Sequence, residues 1–171
     1  MDVKDGLTLV LGHAASGKSD WAEAAVRATG AAPVYVATAQ ALDAEMSNKI
    51  KAHAARRGPE WRLVEAPLDL AAACEPARDG EVWLIDCATM WLTNKIMADA
   101  DWHEPAEAWL AHVADSPAGF VVVSNDVGGG VTPDNSLARR FQREQGALNQ
   151  RLARAADRVV LVTAGLAQRL K

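Results

Sequence analysis

Leu7-Thr8-Leu9-Val10-Leu11-Gly12-His13-Ala14-Ala15-Ser16-Gly17-Lys18-Ser19 decides the architecture of this 171-residue chain. Its first half, opening at Gly6, is a continuous apolar run, the pattern of a strand buried on both faces. Its second half is a complete GxxxxGK[ST], and Lys18 opens a helix that runs to Thr29 and is stopped by Gly30. A chance match to this spacing in a chain of such length is on the order of one in a hundred. Gly12 and Gly17 let the loop turn its N–H groups inward, so that His13, Ala14, Ala15 and Ser16 line a phosphate cradle with their backbone. The helix N-terminus adds its positive dipole end. Lys18 is placed to reach β- and γ-phosphates, and the Ser19 hydroxyl to ligate Mg²⁺. The stretch implies a nucleoside triphosphate site.

Outward from this loop, apolar runs alternate with helical patterns. Pro33–Ala37, Trp61–Glu65, Glu81–Asp86, Gly119–Ser124 and Arg158–Thr163 read as strands. Leu42–Arg56 carries Leu42, Met46 and Ile50 at helical spacing, and Gly58-Pro59 breaks it. Further helices are predicted over Leu68–Ala77, Met90–Ala98, Pro105–Ala114 and Ser136–Ala156; in the last, Leu137, Phe141, Leu148 and Leu152 share a face. Strand–helix alternation of this kind predicts an α/β fold, a three-layer P-loop NTPase-type arrangement with a mostly parallel sheet covered by helices on both faces. In such sheets ligands sit at the carboxyl ends of the strands.

Composition agrees with a single domain over residues 1–171. Half the residues are apolar, and 35 alanines among them suit helices lying close on a sheet. A net charge of −4 argues against nucleic acid as a bulk electrostatic partner. No apolar run approaches the ~20 residues needed to span a bilayer. Met1–Gly6 lacks the pattern of a signal peptide, and Cys74 and Cys87 lack metal or disulfide spacing. A cytoplasmic location is the expectation.

Several residues carry two readings. Asp86 closes the apolar run Val82–Ile85, which suits either a Mg²⁺ carboxylate or a helix-capping residue. His53 lies ~20° from Leu42 around the helix, on the apolar stripe, where a lone histidine is ordinarily a core side chain. Arg139, Arg140 and Arg143 follow the glycine-rich loop Asn125–Pro133 and read as phosphate contacts or as a solvated face. Trp102 and Trp109 suit an interface or a core equally. Thr93-Asn94-Lys95-Ile96-Met97 begins like the Asn-Lys-x-Asp guanine reader of regulatory GTPases, but Met97 replaces the aspartate and the reading fails. The phosphate loop alone leaves open a small-molecule kinase or a non-catalytic nucleotide-binding protein.

The ordered set narrows this. GHAASGKS, YVATAQALDAEMSNKIKAHAARR followed by EWRLVEAP, IDCATMWLTN, and VVVSNDVGGGVTPDNSLARRFQREQGALNQRLARAADRVVLVTAGLAQRLK together span Leu7 to Lys171. The set resembles the bifunctional adenosylcobinamide kinase/adenosylcobinamide-phosphate guanylyltransferases of cobalamin biosynthesis. The resemblance implies phosphorylation of adenosylcobinamide from GTP or ATP. GMP transfer from GTP onto adenosylcobinamide phosphate would then follow through a GMP–histidine. By position, seven residues after Met46, that histidine is His53. The resemblance also implies that Ala37, Thr38, Ala39, Ala54, Ala55, Arg56, Arg57, Glu65 and Asp86 line the guanine nucleotide site, and that the assembly is a homotrimer. The family's loop usually reads GGARSGKS, so His13 and Ala15 depart from it. Asp126 stands where the family generally has glutamate.

Overall fold

The computed structural model describes residues 2–40 and 57–171. Seven strands form one sheet in the order β3-β2-β4-β5-β1-β6-β7. They are β1 (Leu7–Gly12), β2 (Ala32–Ala37), β3 (Arg62–Glu65), β4 (Glu81–Asp86), β5 (Gly119–Asn125), β6 (Arg158–Thr163) and β7 (Leu166–Arg169). All neighbouring pairs are parallel except β6 with β7. The helices among the described residues are α1 (Lys18–Ala28), α2 (Leu70–Cys74), α3 (Ala88–Met97), α4 (His103–Asp115) and α5 (Ser136–Ala155).

Alternation along the strands feeds two cores. Leu9, Val34, Val36, Trp83, Ile85, Phe120 and Val122 point to the side of α2–α5, while Val10, Tyr35, Leu84, Val121 and Val123 point to the side of α1. Because both faces are covered, a strand favours apolar residues at successive positions, which is why the middles of β1, β4 and β5 read as near-continuous apolar runs, with Thr8 the exception in β1. The predicted mostly parallel sheet with helices on both faces is therefore the observed one.

Three features differ from expectation. Of the two readings of Trp102 and Trp109 the core one holds, at 4% and 2% exposed, which leaves the interface reading as the departure. On α5 the expected stripe is only half buried: Leu148 and Leu152 are covered, whereas Leu137 is 49% exposed. Leu137 and Phe141 instead border a shallow apolar pocket of about 300 Å³ with Thr93, Ile96 and Met97 of α3. The third is β7, absent from the sequence reading. Ala164 and Gly165 both have positive φ, at 52° and 77°, the two-residue turn that matches the twist of a hairpin. Ala-Gly carries a weaker turn signal than Asn-Gly, and the short strand beyond it is exposed throughout.

Candidate functional site: the phosphate loop and its carboxylate

Strand β1 delivers the chain to the carboxyl edge of the sheet, and Gly12 makes the exit possible. A Cβ there would lie 2.6 Å from the Val162 carbonyl oxygen of β6. Gly17 caps α1 at φ +88°, in the left-handed region where glycine is free of steric cost. Ala15, at φ +55°, tolerates the same region without that relief. The loop is braced from two sides. Gly165 of the β6–β7 hairpin donates its N–H to the Ser16 carbonyl at 2.8 Å. On the other side Asp126 donates its N–H to the Gly12 carbonyl at 3.1 Å. His13 Nδ1 also donates to the Asp126 carbonyl at 2.8 Å, so His13 fastens the loop to the exit of β5.

Lys18 Nζ folds back over the loop and donates to the His13 carbonyl at 3.0 Å, which holds the ammonium across the cradle. Ser16 is buried, and its hydroxyl has no hydrogen-bond partner among the described residues. An orphaned hydroxyl of this kind, in a loop that opens a helix N-terminus, suits an anionic ligand.

Ser19 and Asp86 meet here. Ser19 Oγ lies 3.4 Å from Asp86 Oδ1, although 67 residues separate them. Asp86 ends β4, which β5 alone separates from β1. A hydroxyl and a carboxylate beside a phosphate cradle are the hard oxygen donors that Mg²⁺ takes, with waters and phosphate oxygens completing its octahedron. The pair fits that ion. Among the described residues no group of three or more His, Cys, Asp or Glu side chains gathers as a protein-only metal cage.

Behind Asp86 sits a cluster that sequence reasoning missed in part. Tyr35 donates its hydroxyl to Asp86 Oδ2 at 3.1 Å. The Arg57 guanidinium lies 3.3 Å from the centre of the Tyr35 ring and pairs with Glu23 of α1 at 2.8 Å, with Asp86 Oδ2 4.0 Å away. Only 2% of the Arg57 side chain is exposed. Burial, then the negative charge of Asp86, push the Tyr35 hydroxyl well above the ordinary phenol range, so it remains a donor. Burial and Asp86 likewise push the Cys87 thiol up to about 11.

The remaining expected residues line the same edge. Ala37 pairs with Asp86 on one side and Glu65 on the other. Thr38 is fully buried, and its hydroxyl both donates to the Cys87 carbonyl and accepts the Cys87 N–H. Its side chain thus ties β2 to the start of α3, leaving Ala39 more open at the rim. Asn94 donates to the Thr38 and Pro67 carbonyls, so the decoy motif is a structural fastening. Glu65 is exposed at the end of β3, four strand positions from β1, or about 19 Å at ordinary strand spacing. Expected contacts at His53, Ala54, Ala55 and Arg56 lie outside the described residues, as does the whole of the predicted helix Leu42–Arg56.

Of the three arginines on α5, Arg139 donates to the Pro133 and Asp134 carbonyls and secures the loop that leaves β5. Arg140 pairs with Asp99 at 3.7 Å on the exposed surface, and Arg143 is exposed. No helix among the described residues is long and apolar enough to cross a membrane.

Known proteins place this geometry. The fold is shared with the flagellar accessory protein FlaH from Methanocaldococcus jannaschii (TM-score 0.56, 12% identity, 99% of this chain and 80% of that one). The RadB recombinase gives a TM-score of 0.53 at 14% identity, over 94% of this chain and 75% of that one. These likenesses establish a P-loop NTPase fold. In sequence, the chain is 43% identical to the bifunctional adenosylcobalamin biosynthesis protein CobP of Pseudomonas aeruginosa, over 95% of this chain and 96% of the relative. It is 38% identical to the corresponding CobU protein of Salmonella typhimurium, over 96% and 99%. The family profile described as cobinamide kinase / cobinamide phosphate guanyltransferase matches residues 8–170. On identities and spans of this size, the chain belongs to the cobinamide kinase / cobinamide phosphate guanyltransferase family.

Proposed function

We propose that this chain carries out both transfers of its family at the one phosphate loop described above. In the kinase step the hydroxyl of adenosylcobinamide attacks the γ-phosphorus of GTP or ATP, its proton leaves, and the nucleoside diphosphate departs. In the second step a neutral imidazole nitrogen of His53 attacks the α-phosphorus of GTP, and pyrophosphate leaves. A phosphate oxygen of adenosylcobinamide phosphate then displaces the histidine and forms adenosylcobinamide-GDP. A covalent intermediate divides one difficult transfer into two easier ones.

The observation that carries this reading is the convergence of Ser19 and Asp86 at the mouth of the loop. The loop N–H groups and Lys18 neutralise phosphate charge, the dominant contribution in transfers of this kind. Ser19 and Asp86 would hold Mg²⁺, which supplies charge neutralisation at the phosphates. Ala37, Ala39 and Glu65 offer the rim on which the nucleoside end would lie. Anchorage of Arg57 supports a role for His53, because four residues of chain span at most about 14 Å. Ala54, Ala55 and Arg56 fall within the same reach. A cytoplasmic location accords with the sequence pattern, and a homotrimer is what the family resemblance implies.

Incubation with GTP labelled at the α-phosphorus tests the histidine step. An acid-labile, base-stable label is expected on the protein, absent with γ-labelled GTP and absent from His53→Ala. Label retained by that variant refutes His53. A γ-phosphoryl transfer to the corrinoid without any GMP–protein would leave the kinase reaction alone.

A further inference from the structure

The Asp86 carboxylate has two oxygens with different neighbours. Oδ1 faces Ser19 at the phosphate loop, while Oδ2 receives the Tyr35 hydroxyl at 3.1 Å. We propose that Tyr35 is a positioning residue for the metal step, holding Oδ2 so that Oδ1 stays aimed at the site Ser19 shares. The inference rests on the reading that Asp86 holds Mg²⁺.

Three physical points support it. Rotation of a carboxylate about its last torsion is soft, so an aspartate held at one oxygen alone presents no fixed lone pair. A second donor on the far oxygen removes that freedom. Next, the donor must orient without cancelling charge, because the anion is what attracts the cation. A phenol does this, whereas a guanidinium in direct contact would neutralise the carboxylate. The structure keeps the guanidinium back: Arg57 lies 2.8 Å from Glu23 and 4.0 Å from Asp86. Glu23, at 2.8 Å, therefore takes a larger share of the guanidinium charge than Asp86 does at 4.0 Å. Finally, Tyr35 is itself held. Tyr35 as a whole is 8% exposed, and its ring lies against Arg57 and meets Trp61 edge-on with centroids 6.4 Å apart. A rigid ring fixes its hydroxyl, and the hydroxyl fixes the carboxylate.

Tyr35→Phe removes one oxygen and leaves the ring beneath Arg57. The experiment titrates Mg²⁺ into the full chain with a fluorescent GTP analogue bound, and measures analogue affinity separately in EDTA. Thermal unfolding without metal reports the fold. In Tyr35→Phe the Mg²⁺ concentration for half-saturation is expected to rise at least fivefold, while metal-free affinity stays within twofold. Asp86→Asn is run beside it and is expected to show a larger rise. If Asp86→Asn raises the Mg²⁺ requirement and Tyr35→Phe does not, the role of Tyr35 is overturned while the metal role of Asp86 stands. If neither variant changes it, the Asp86 reading and this inference fall together. Equal losses of affinity with and without Mg²⁺ in Tyr35→Phe would make Tyr35 a packing residue and overturn the inference.

Discussion

Gly12→Ala tests the phosphate cradle at its tightest point. The added Cβ would lie 2.6 Å from the Val162 carbonyl oxygen, and it would also press on the Ser16 hydroxyl. Ser16 can rotate aside, but the Val162 carbonyl belongs to the adjoining strand and moves only with its backbone. Relief therefore comes from a shift of several tenths of an ångström where β1 enters the loop. Overpacking of this kind costs about 1–3 kcal/mol. At roughly 2–4 °C per kcal/mol for a chain of this size, Tm should fall by about 2–12 °C. The same shift turns loop N–H groups away from phosphate. Loss of one hydrogen bond to a charged group, worth about 1.5–3 kcal/mol, would weaken GTP binding by roughly 10- to 100-fold. Gly30→Ala serves as the comparison, since Gly30 has φ +68° with nothing within 4 Å of an added Cβ. It should cost only the left-handed backbone penalty of about 1 kcal/mol, and leave GTP binding intact. Scanning calorimetry and titration calorimetry with GTP read both quantities. A Gly12→Ala protein that matches Gly30→Ala in Tm and binds GTP within twofold of the parent would refute the steric argument.

Glu23→Ala removes the carboxylate 2.8 Å from the buried Arg57 guanidinium while Asp86 stays 4.0 Å away, so it should cost about 1.5–3 kcal/mol, the worth of one hydrogen bond to a charged group, in denaturant unfolding. Cys87, with its thiol pushed up to about 11, should react with iodoacetamide at pH 8 about 100-fold more slowly than a free thiol. The sign follows for stability: unfolding releases this proton more readily, so Cys87 withdraws stability as pH rises from about 9 to about 11, a decline visible as a falling Tm. Met97→Asp completes an Asn-Lys-x-Asp sequence. Because Met97 is 71% exposed and Asn94 is committed to the Thr38 and Pro67 carbonyls, the ratio of GTP to ATP affinity should stay within twofold in competition binding.

Much of the site's outline was legible in the chain because its parts are local. GHAASGKS needs only a strand before it and a helix after it, and both flanks announce themselves by periodicity. Asp86 was legible as an acid closing an apolar run. Tyr35 was not: within Pro33–Ala37 it reads as one more apolar strand residue, and its partner lies 51 positions away. Arg57 was expected at the nucleotide site, and its guanidinium is buried between Glu23 of α1 and Tyr35 of β2, a meeting of elements that chain spacing does not reveal. Gln145 likewise sits fully buried on the apolar face of α5, where it donates to Ser124 and Asn149. Hydrophobic periodicity does not place a glutamine there, because Ser124 of β5 supplies one of its partners and Asn149, one turn along α5, the other.

The sequence by itself determined the α/β class, the phosphate loop and the family. These depend on spacing along the chain, which hydrophobic period and backbone geometry translate directly into strand, turn and helix. Tertiary structure alone decided which oxygen of Asp86 faces Ser19, which guanidinium pairs with Glu23, and which hairpin braces the loop. Each of those is a contact between residues dozens of positions apart. The order β3-β2-β4-β5-β1-β6-β7 brings them together, and that order is set by how the whole sheet buries its two faces.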